Sequence, residues 1–238
     1  MPKLFYDLHI HSCLSPCGDD DMTPANIVAM AFLKGLNVIA VTDHNSCKNC
    51  PAVLEYARKY QIIAIPGMEL CTKEEVHVLC LFKNLSDALC FDEYVSSKLI
   101  KIPNNESIFG KQEIYDENDH IIGTEPYLLI NATEISFDEI GDLMQQFHGI
   151  YIPAHMDKSS NSLFSNLGFI PPEVDFHCVE FTSKDRYDRY LLQNPYLKQC
   201  NLIINSDAHS LGNINEPVNY LTTKNNSIEE ILKSLDKF

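Results

Sequence analysis

Short apolar runs recur along the chain, and most of them end in a histidine or a carboxylate. Leu4-Phe5-Tyr6, Val38-Ile39-Ala40-Val41, Ile62-Ile63-Ala64-Ile65 and Val76-His77-Val78-Leu79-Cys80-Leu81 read as short buried strands. So do Gly149-Ile150-Tyr151-Ile152, Cys178-Val179-Glu180-Phe181 and Leu202-Ile203-Ile204-Asn205. Between them the spacing turns helical. Thr23 is an N-cap followed by Pro24 at the first helical position, and that helix runs to about Lys34 and stops at Gly35. Pro51 opens a helix with Val53, Leu54 and Ala57 on one face. Phe137 to Phe147 and Ile228 to Leu235 carry the same spacing. Strands alternating with amphipathic helices predict an α/β protein built on a parallel sheet.

From Lys83 to about Ile135 the rhythm breaks, and this stretch reads as an insertion in a single domain spanning residues 1–238. It holds a helix around 86–99 and a hairpin. The hairpin arms are Glu113-Ile114-Tyr115 and Ile121-Ile122-Gly123, joined by Asp116-Glu117-Asn118-Asp119. His120 sits beside that turn and is expected to be exposed and uninvolved. The insertion leaves the frame where the polar strand ends gather, so it is expected to lie over the mouth of the site.

Those strand ends carry the candidate chemistry. In Asp7-Leu8-His9-Ile10-His11, residues two apart face the same way, so His9 and His11 aim at one point with Asp7 behind them. Two imidazoles on a rigid strand make half of a metal site. Other apolar runs end in Thr42-Asp43-His44, Gly67-Met68-Glu69, Ala154-His155 and Ser206-Asp207-Ala208-His209. Functional residues at the carboxyl ends of strands fit a closed barrel or an open doubly wound sheet. Convergence from nearly every strand favours a barrel, with about seven core strands.

Composition narrows the function. The 238 residues are 45% hydrophobic, and no run approaches the roughly 20 apolar residues of a membrane span. No signal-peptide pattern precedes the first strand, so a cytoplasmic location is expected. The 18 basic and 33 acidic residues leave a net charge of −15, which repels a nucleic-acid backbone and favours a small substrate. Bound divalent ions would offset part of that charge. Of nine cysteines, Cys80 and Cys178 lie in apolar strands as small core residues. Cys13, Cys17, Cys47 and Cys50 form C-x3-C and C-x2-C pairs in two loops near the ligand strands, either as free thiols near the site or as a separate thiolate zinc site.

His9-x-His11, Thr42-Asp43-His44, Gly67-x-Glu69, Val76-His77, Ala154-His155 and Ser206-Asp207-x-His209 resemble, in order, the motifs of the PHP (polymerase and histidinol phosphatase) family, and most closely its stand-alone metal-dependent phosphoesterases. The resemblance runs from Leu4 to about Leu211 and excludes the insertion. It implies a distorted seven-stranded β/α barrel of TIM-like type holding two or three divalent ions. It further implies that His9, His11, Glu69 and Asp207 hold the first ion, and that Glu69 bridges to a second bound by His77 and His155. Asp19, His44 and His209 would hold a third. The family usually shows Ser-Asp-Gly after the H-x-H, where this chain has Gly18-Asp19-Asp20-Asp21-Met22; counting back from Pro24 selects Asp19, and a one-residue slip selects Asp20.

Mixed imidazole and carboxylate donors suit Zn, Mn or Fe without choosing among them. Closely spaced ions would share a hydroxide that attacks phosphorus, so no protein nucleophile is required, and no Ser-His-Asp or Cys-His order is found. Asp7 and Asp43 are expected to orient imidazoles, the alternative being capping or turn carboxylates. Lys158 and Arg186 are the expected contacts to substrate phosphate, among only three arginines, and Glu180 is either near the ions or paired with a loop cation. The expected activity is hydrolysis of a phosphomonoester or phosphodiester of a small molecule, such as a nucleotide or sugar phosphate. The rival readings are a 5′–3′ exonuclease on short oligonucleotides, an amidohydrolase acting on C–N bonds, and a non-catalytic module stabilised by its metals.

Overall fold

The computed structural model describes residues 3–236. In chain order they form β1 (Lys3–Ile10), α1 (Pro24–Lys34), β2 (Val38–Val41), α2 (Cys50–Tyr60), β3 (Ile63–Ala64), β4 (Gly67–Cys71) and β5 (His77–Phe82). The insertion follows with α3 (Leu85–Lys98), α4 (Glu106–Phe109), β6 (Glu113–Tyr115) and β7 (Ile121–Thr124). Then come α5 (Ile140–Gln146), β8 (Gly149–Pro153), α6 (Leu163–Asn166), β9 (Cys178–Glu180), α7 (Lys184–Leu191), β10 (Asn201–Ile203), β11 (Tyr220–Thr222) and α8 (Ile228–Leu235).

Local chemistry explains the best-defined elements. Thr23 caps α1 by accepting from the Asn26 N–H, and Gly35 ends it at φ 81°, a left-handed conformation that glycine adopts without steric cost. The hairpin forms where it was expected, closed by the Asp116 N–H donating to the His120 carbonyl, with the His120 side chain exposed. Residues 220–222 and 184–191 were not anticipated: the first are three half-exposed residues at a sheet edge, and the second is a largely polar helix that buries only Tyr187.

The ladders form four sheets, β11-β1-β2-β3, β4-β5-β8, β9-β10 and β6-β7, rather than one closed barrel of about seven strands. Parallel pairing holds for β1 with β2, β2 with β3, and β9 with β10. It fails for β4, β5 and β8, which run antiparallel. For β4 and β5 the cause is the connection: β4 returns to β5 through a turn closed by the Thr72 N–H to Val76 carbonyl bond (3.0 Å), too short for a parallel crossover.

The sheets nevertheless meet at their carboxyl ends. His44 bridges Glu69, the His11 N–H donates to the Ala208 carbonyl (2.9 Å), and the Met156 N–H donates to the Glu180 carbonyl (2.9 Å). Behind these junctions Leu8, Ala40, Leu79, Ile152, Cys178 and Ile203, one from each of six strands, pack in one buried cluster, which α8 covers with Ile231 and Leu235. Apolar burial of this kind is the main term holding the strand ends at fixed distances. The insertion rests on the same end: Asn45 Nδ2 donates to the Leu129 and Asn131 carbonyls (2.7 and 2.8 Å), and Asn49 Nδ2 to the Glu113 carbonyl (3.2 Å). No helix among the described residues is long and apolar enough to cross a membrane.

Gly67 begins the strand that carries Glu69, and a Cβ there would sit 2.6 Å from the Cys80 carbonyl oxygen and 2.7 Å from Leu81 Cδ2. Because the nearer obstacle is backbone in a paired strand, Gly67→Ala should destabilise the protein by about 1–3 kcal/mol. Thermal unfolding should then move down by roughly 2–4 °C per kcal/mol; an unchanged midpoint would show that β4 and β5 can separate without cost.

Candidate metal centre

The carboxylate of Glu69, 1% exposed, stands at the meeting point of five imidazoles. His9 Nε2 lies 3.2 Å from it, His11 Nε2 3.3 Å, and His44 Nδ1, His77 Nδ1 and His155 Nε2 each 3.0 Å. Asp207 Oδ1 approaches the same His9 and His11 nitrogens at 3.4 and 3.1 Å. His209 stacks on His11 with ring centroids 4.4 Å apart. Thus His9, His11, His44, Glu69, His77, His155, Asp207 and His209, expected from the sequence to converge, are brought to one place. The register between β1 and β2 shifts between Asp7 and Ile10, the kind of irregularity that re-aims side chains beside active sites. His155 and Asp207 lie at φ 29° and 53°, left-handed values that a non-glycine residue holds only when its surroundings enforce them.

The donor set fits divalent cations. Imidazole nitrogens, carboxylate oxygens and one thiol converge in four overlapping groups whose donor atoms lie within 4.8 Å of one another. Three are His9–His11–Glu69, His9–His155–Asp207 and His44–Glu69–His77. Buried polar atoms are nearly always paired, yet Glu69 Oε2 and His44 Nδ1, 3.0 Å apart, form no hydrogen bond, and His155 Nδ1 has no hydrogen-bond partner. His9 and His11 present Nε2 atoms to each other at 3.2 Å, a placement suited to sharing a cation rather than a proton.

Charge in the cluster is strongly coupled. Burial opposes ionisation of Glu69, but His77, His9 and His44 outweigh it and hold its carboxyl well below the usual range. Asp207 is likewise held down, against its burial, by His9 and His11. Burial works against a charged His77, but the Glu69 carboxylate prevails and lifts it to about 10. His44 goes the other way: burial, reinforced by His11 and His77, pushes it down to about 3, leaving a neutral ring.

A second layer holds the imidazoles. Glu180, which ends β9, accepts from His9 Nδ1 at 3.0 Å, from the His155 N–H at 2.7 Å and from Asn205 Nδ2 at 2.7 Å. Its place at the end of an apolar strand marks it as a group near the ions, without naming His9 as its partner. Asp43 acts through a relay: its carboxylate accepts from the Ser12 N–H and from the Ser12 and Ser15 hydroxyls, and Ser15 Oγ faces His11 Nδ1 at 3.0 Å. Asp7 hydrogen-bonds no imidazole. It lies one pleat below His9, where its oxygens accept from the Ser206 and Asn215 N–H groups and so anchor the loop bearing Asp207.

Other expected residues sit elsewhere. Asp19 and Asp20 are exposed and belong to none of the donor groups. The tight turn before them, closed by the Gly18 N–H to Ser15 carbonyl bond (2.9 Å), presents Cys17 to His11, His44 and His209 instead. Lys158 lines the cavity over the cluster, about 170 Å³, and pairs with Asp207. Arg186 turns away, its Nε 2.9 Å from the buried carboxylate of Asp157, which outcompetes an open cleft for a guanidinium. The cysteines do not gather into a thiolate site: Cys47 and Cys50 face the Gly67 carbonyl at 3.3 and 3.4 Å, and Cys13 packs with Ala52 and Tyr115. A larger cavity, about 420 Å³, opens by Gly149 and Tyr151 and is lined by none of the clustered histidines.

The PHP domain family matches residues 7–238. A 5'-3' exoribonuclease of Haemophilus influenzae is 33% identical over 79 residues, 32% of this chain and 28% of that protein. The chain spans half or less of the curated relatives it matches. Among solved structures, the lesion-specific endonuclease PfuEndoQ of Pyrococcus furiosus superposes with a TM-score of 0.69 at 22% identity, over 99% of this chain and 56% of its own. An Endonuclease Q complex with a 27-mer duplex carrying an abasic lesion gives 0.60 at 22% identity, over 98% and 56%. A Bifidobacterium adolescentis protein described as a metal-dependent phosphoesterase gives 0.64 at 18% identity, over 98% and 97%.

Two outcomes test this geometry. Glu180→Gln keeps the shape but weakens the acceptor on His9, and should reduce metal affinity about 10–100-fold by competition titration; unchanged affinity would reduce Glu180 to a packing role. Against burial, the Glu69 carboxylate lifts His77 to about 10, and Glu180 and Glu69 hold His9 up as well, so at pH 8 the metal-free centre holds protons that coordination must expel. Calorimetric zinc binding at pH 8 should therefore depend on the ionisation enthalpy of the buffer. A buffer-independent heat at pH 8 would contradict it.

Proposed function

The chain belongs to the PHP family, and from that premise we propose that it is a metal-dependent phosphoesterase acting on a phosphate ester of a small molecule, such as a nucleotide or sugar phosphate. One observation carries the reading: five imidazoles from separate parts of the fold meet on the buried carboxylate of Glu69. In this reading His9, His11 and Asp207 hold one divalent cation with Glu69, which also reaches a second beside His77 and His155. His44 and His209 serve a third. Zn, Mn and Fe all suit such donors.

Cations in such a site supply Lewis acidity and an activated water for in-line attack at phosphorus. The chain's own residues do the positioning. Glu180 holds the His9 ring through Nδ1, and Ser15, itself held by Asp43, faces Nδ1 of His11, so both rings keep Nε2 turned to the centre. Lys158, at the cavity wall, is placed to meet a non-bridging phosphate oxygen once Asp207 is drawn to a cation. A cavity of about 170 Å³ takes a phosphoryl group and little more, leaving the rest of the substrate outside. Ile130 of the insertion forms part of its wall, so we assign substrate choice to the 83–135 segment lying over the mouth. The shared core of six strands supports a distorted β/α barrel beneath it. Nine unpaired thiols suit a reducing compartment such as the cytoplasm.

A second reading, cleavage of a nucleic-acid phosphodiester, draws on the fold likeness to the lesion-specific endonuclease. The net charge of −15 weighs against it, because backbone binding relies on clustered cations.

The test is a panel of aryl phosphates, nucleotides, sugar phosphates, oligoribonucleotides and an abasic duplex, assayed with Zn, Mn and Fe. Small phosphate esters should be hydrolysed with little salt dependence. Turnover confined to nucleic acid and falling steeply with salt would favour the second reading. Glu69→Gln should cost more than the roughly 10–100-fold typical of outer-layer changes and should release metal; retention of both activity and metal would refute the assignment.

A further inference from the structure

The loop from His11 to Thr23 is unusually constrained for a surface connection. The Ser15 N–H donates to the Ser12 carbonyl (3.0 Å), the Asp19 N–H to the His209 carbonyl (2.9 Å), and the Cys13 N–H to the Met22 carbonyl (2.9 Å). A Cβ on Gly18 would stand 2.3 Å from the Ser12 carbonyl oxygen, so the turn closes on itself as tightly as glycine permits. Asp43 ties the loop to β2 through Ser12 and Ser15. One result is that Cys17, immediately before this glycine, comes within donor distance of His11, His44 and His209.

We propose that Cys17 is a metal ligand, and that its thiolate replaces a carboxylate in the subsite formed by His44 and His209 beside His11. The inference rests on the reading that His44 and His209 hold a cation. Four donor atoms, one from each of these residues, lie within 4.8 Å of one another. His44 is 3% exposed, and its Nδ1 stands 3.0 Å from Glu69 Oε2 with no hydrogen bond between them, so the ring is set for a cation and not for a proton. The ring of His11, which His209 stacks upon, also lies 4.5 Å from that of His44, so the imidazoles are already assembled.

Ligation forms a metal–sulfur bond and sends the thiol proton to solvent, with no change in oxidation state. The chemistry sets the subsite apart from its neighbours. Imidazole and carboxylate donors can hold Mn as well as Zn, whereas a thiolate favours the softer Zn(II), Fe(II) and Co(II). A chain with one thiolate-bound position and two carboxylate-bound positions would therefore hold unlike metals.

Cobalt(II) is the probe, because a thiolate ligand gives it a near-ultraviolet charge-transfer band. Titrating the metal-free full chain should produce that band. Cys17→Ser should abolish it and lower bound cobalt by about one equivalent. Asp19→Ala and Cys13→Ser should leave both unchanged. If Cys17→Ser fails to fold, alkylation of the unaltered protein decides the matter. Cys17 and Cys90 are the exposed thiols; zinc should protect Cys17 from iodoacetamide and leave Cys90 as reactive as before. Cobalt bound without a charge-transfer band, or Cys17 alkylated equally with and without zinc, overturns the thiolate ligand while leaving the Glu69 centre standing. A band that survives in Cys17→Ser, or lost cobalt in Asp19→Ala alone, overturns it as well. No cobalt uptake at all would overturn both this inference and the reading beneath it.

Discussion

A carboxylate withdrawn from water must be paired at short range or lose its charge, and Glu69 meets imidazoles on five sides. Everything around it follows from that demand. No single element could supply five imidazoles to one point, so they come from the ends of β1, β2 and β8 and the start of β5. The apolar cluster shared by six strands keeps those ends at constant separation, which a metal centre needs more than it needs any particular sheet. Strain appears where expected: His155 and Asp207, both in the cluster, hold left-handed backbone angles.

The periodicity of the chain made most of this legible. Apolar runs ending in His, Glu or Asp located seven of the clustered side chains, because a strand's direction and its polar end are local properties. His77, which opens its strand, came from the family resemblance alone. What stayed hidden was non-local. The antiparallel course of β4 and β5 depends on a short turn at 72–76 that the apolar pattern alone does not orient. The four-sheet ladder pattern depends on where hydrogen bonds lapse between neighbours. Asp19 was favoured by counting along the chain, but the Gly18 turn rotates the loop and presents Cys17 instead. Arg186 looked like a phosphate contact until Asp157, distant in sequence, claimed it. The relay from Asp43 through Ser15 to His11 joins residues 28 apart through a hydroxyl that carries no pattern of its own.

The two layers differ in how they are specified. Inner groups are chosen for chemistry, and only His, Asp, Glu or Cys will serve. The supporting groups, Glu180, Asp43, Ser15 and Asn205, are chosen for reach, and their value lies in fixing ring orientation and tautomer. A family resemblance reads the first kind from motifs and is nearly blind to the second.

The seating of the inserted segment has an evolutionary corollary. Asn45 and Asn49 grip it by the main-chain oxygens of Leu129, Asn131 and Glu113, not by its side chains. Peptide oxygens are the same whatever residue bears them. The rim can thus drift to new sequences in descendants of this chain while its anchorage and the cations' cradle remain untouched.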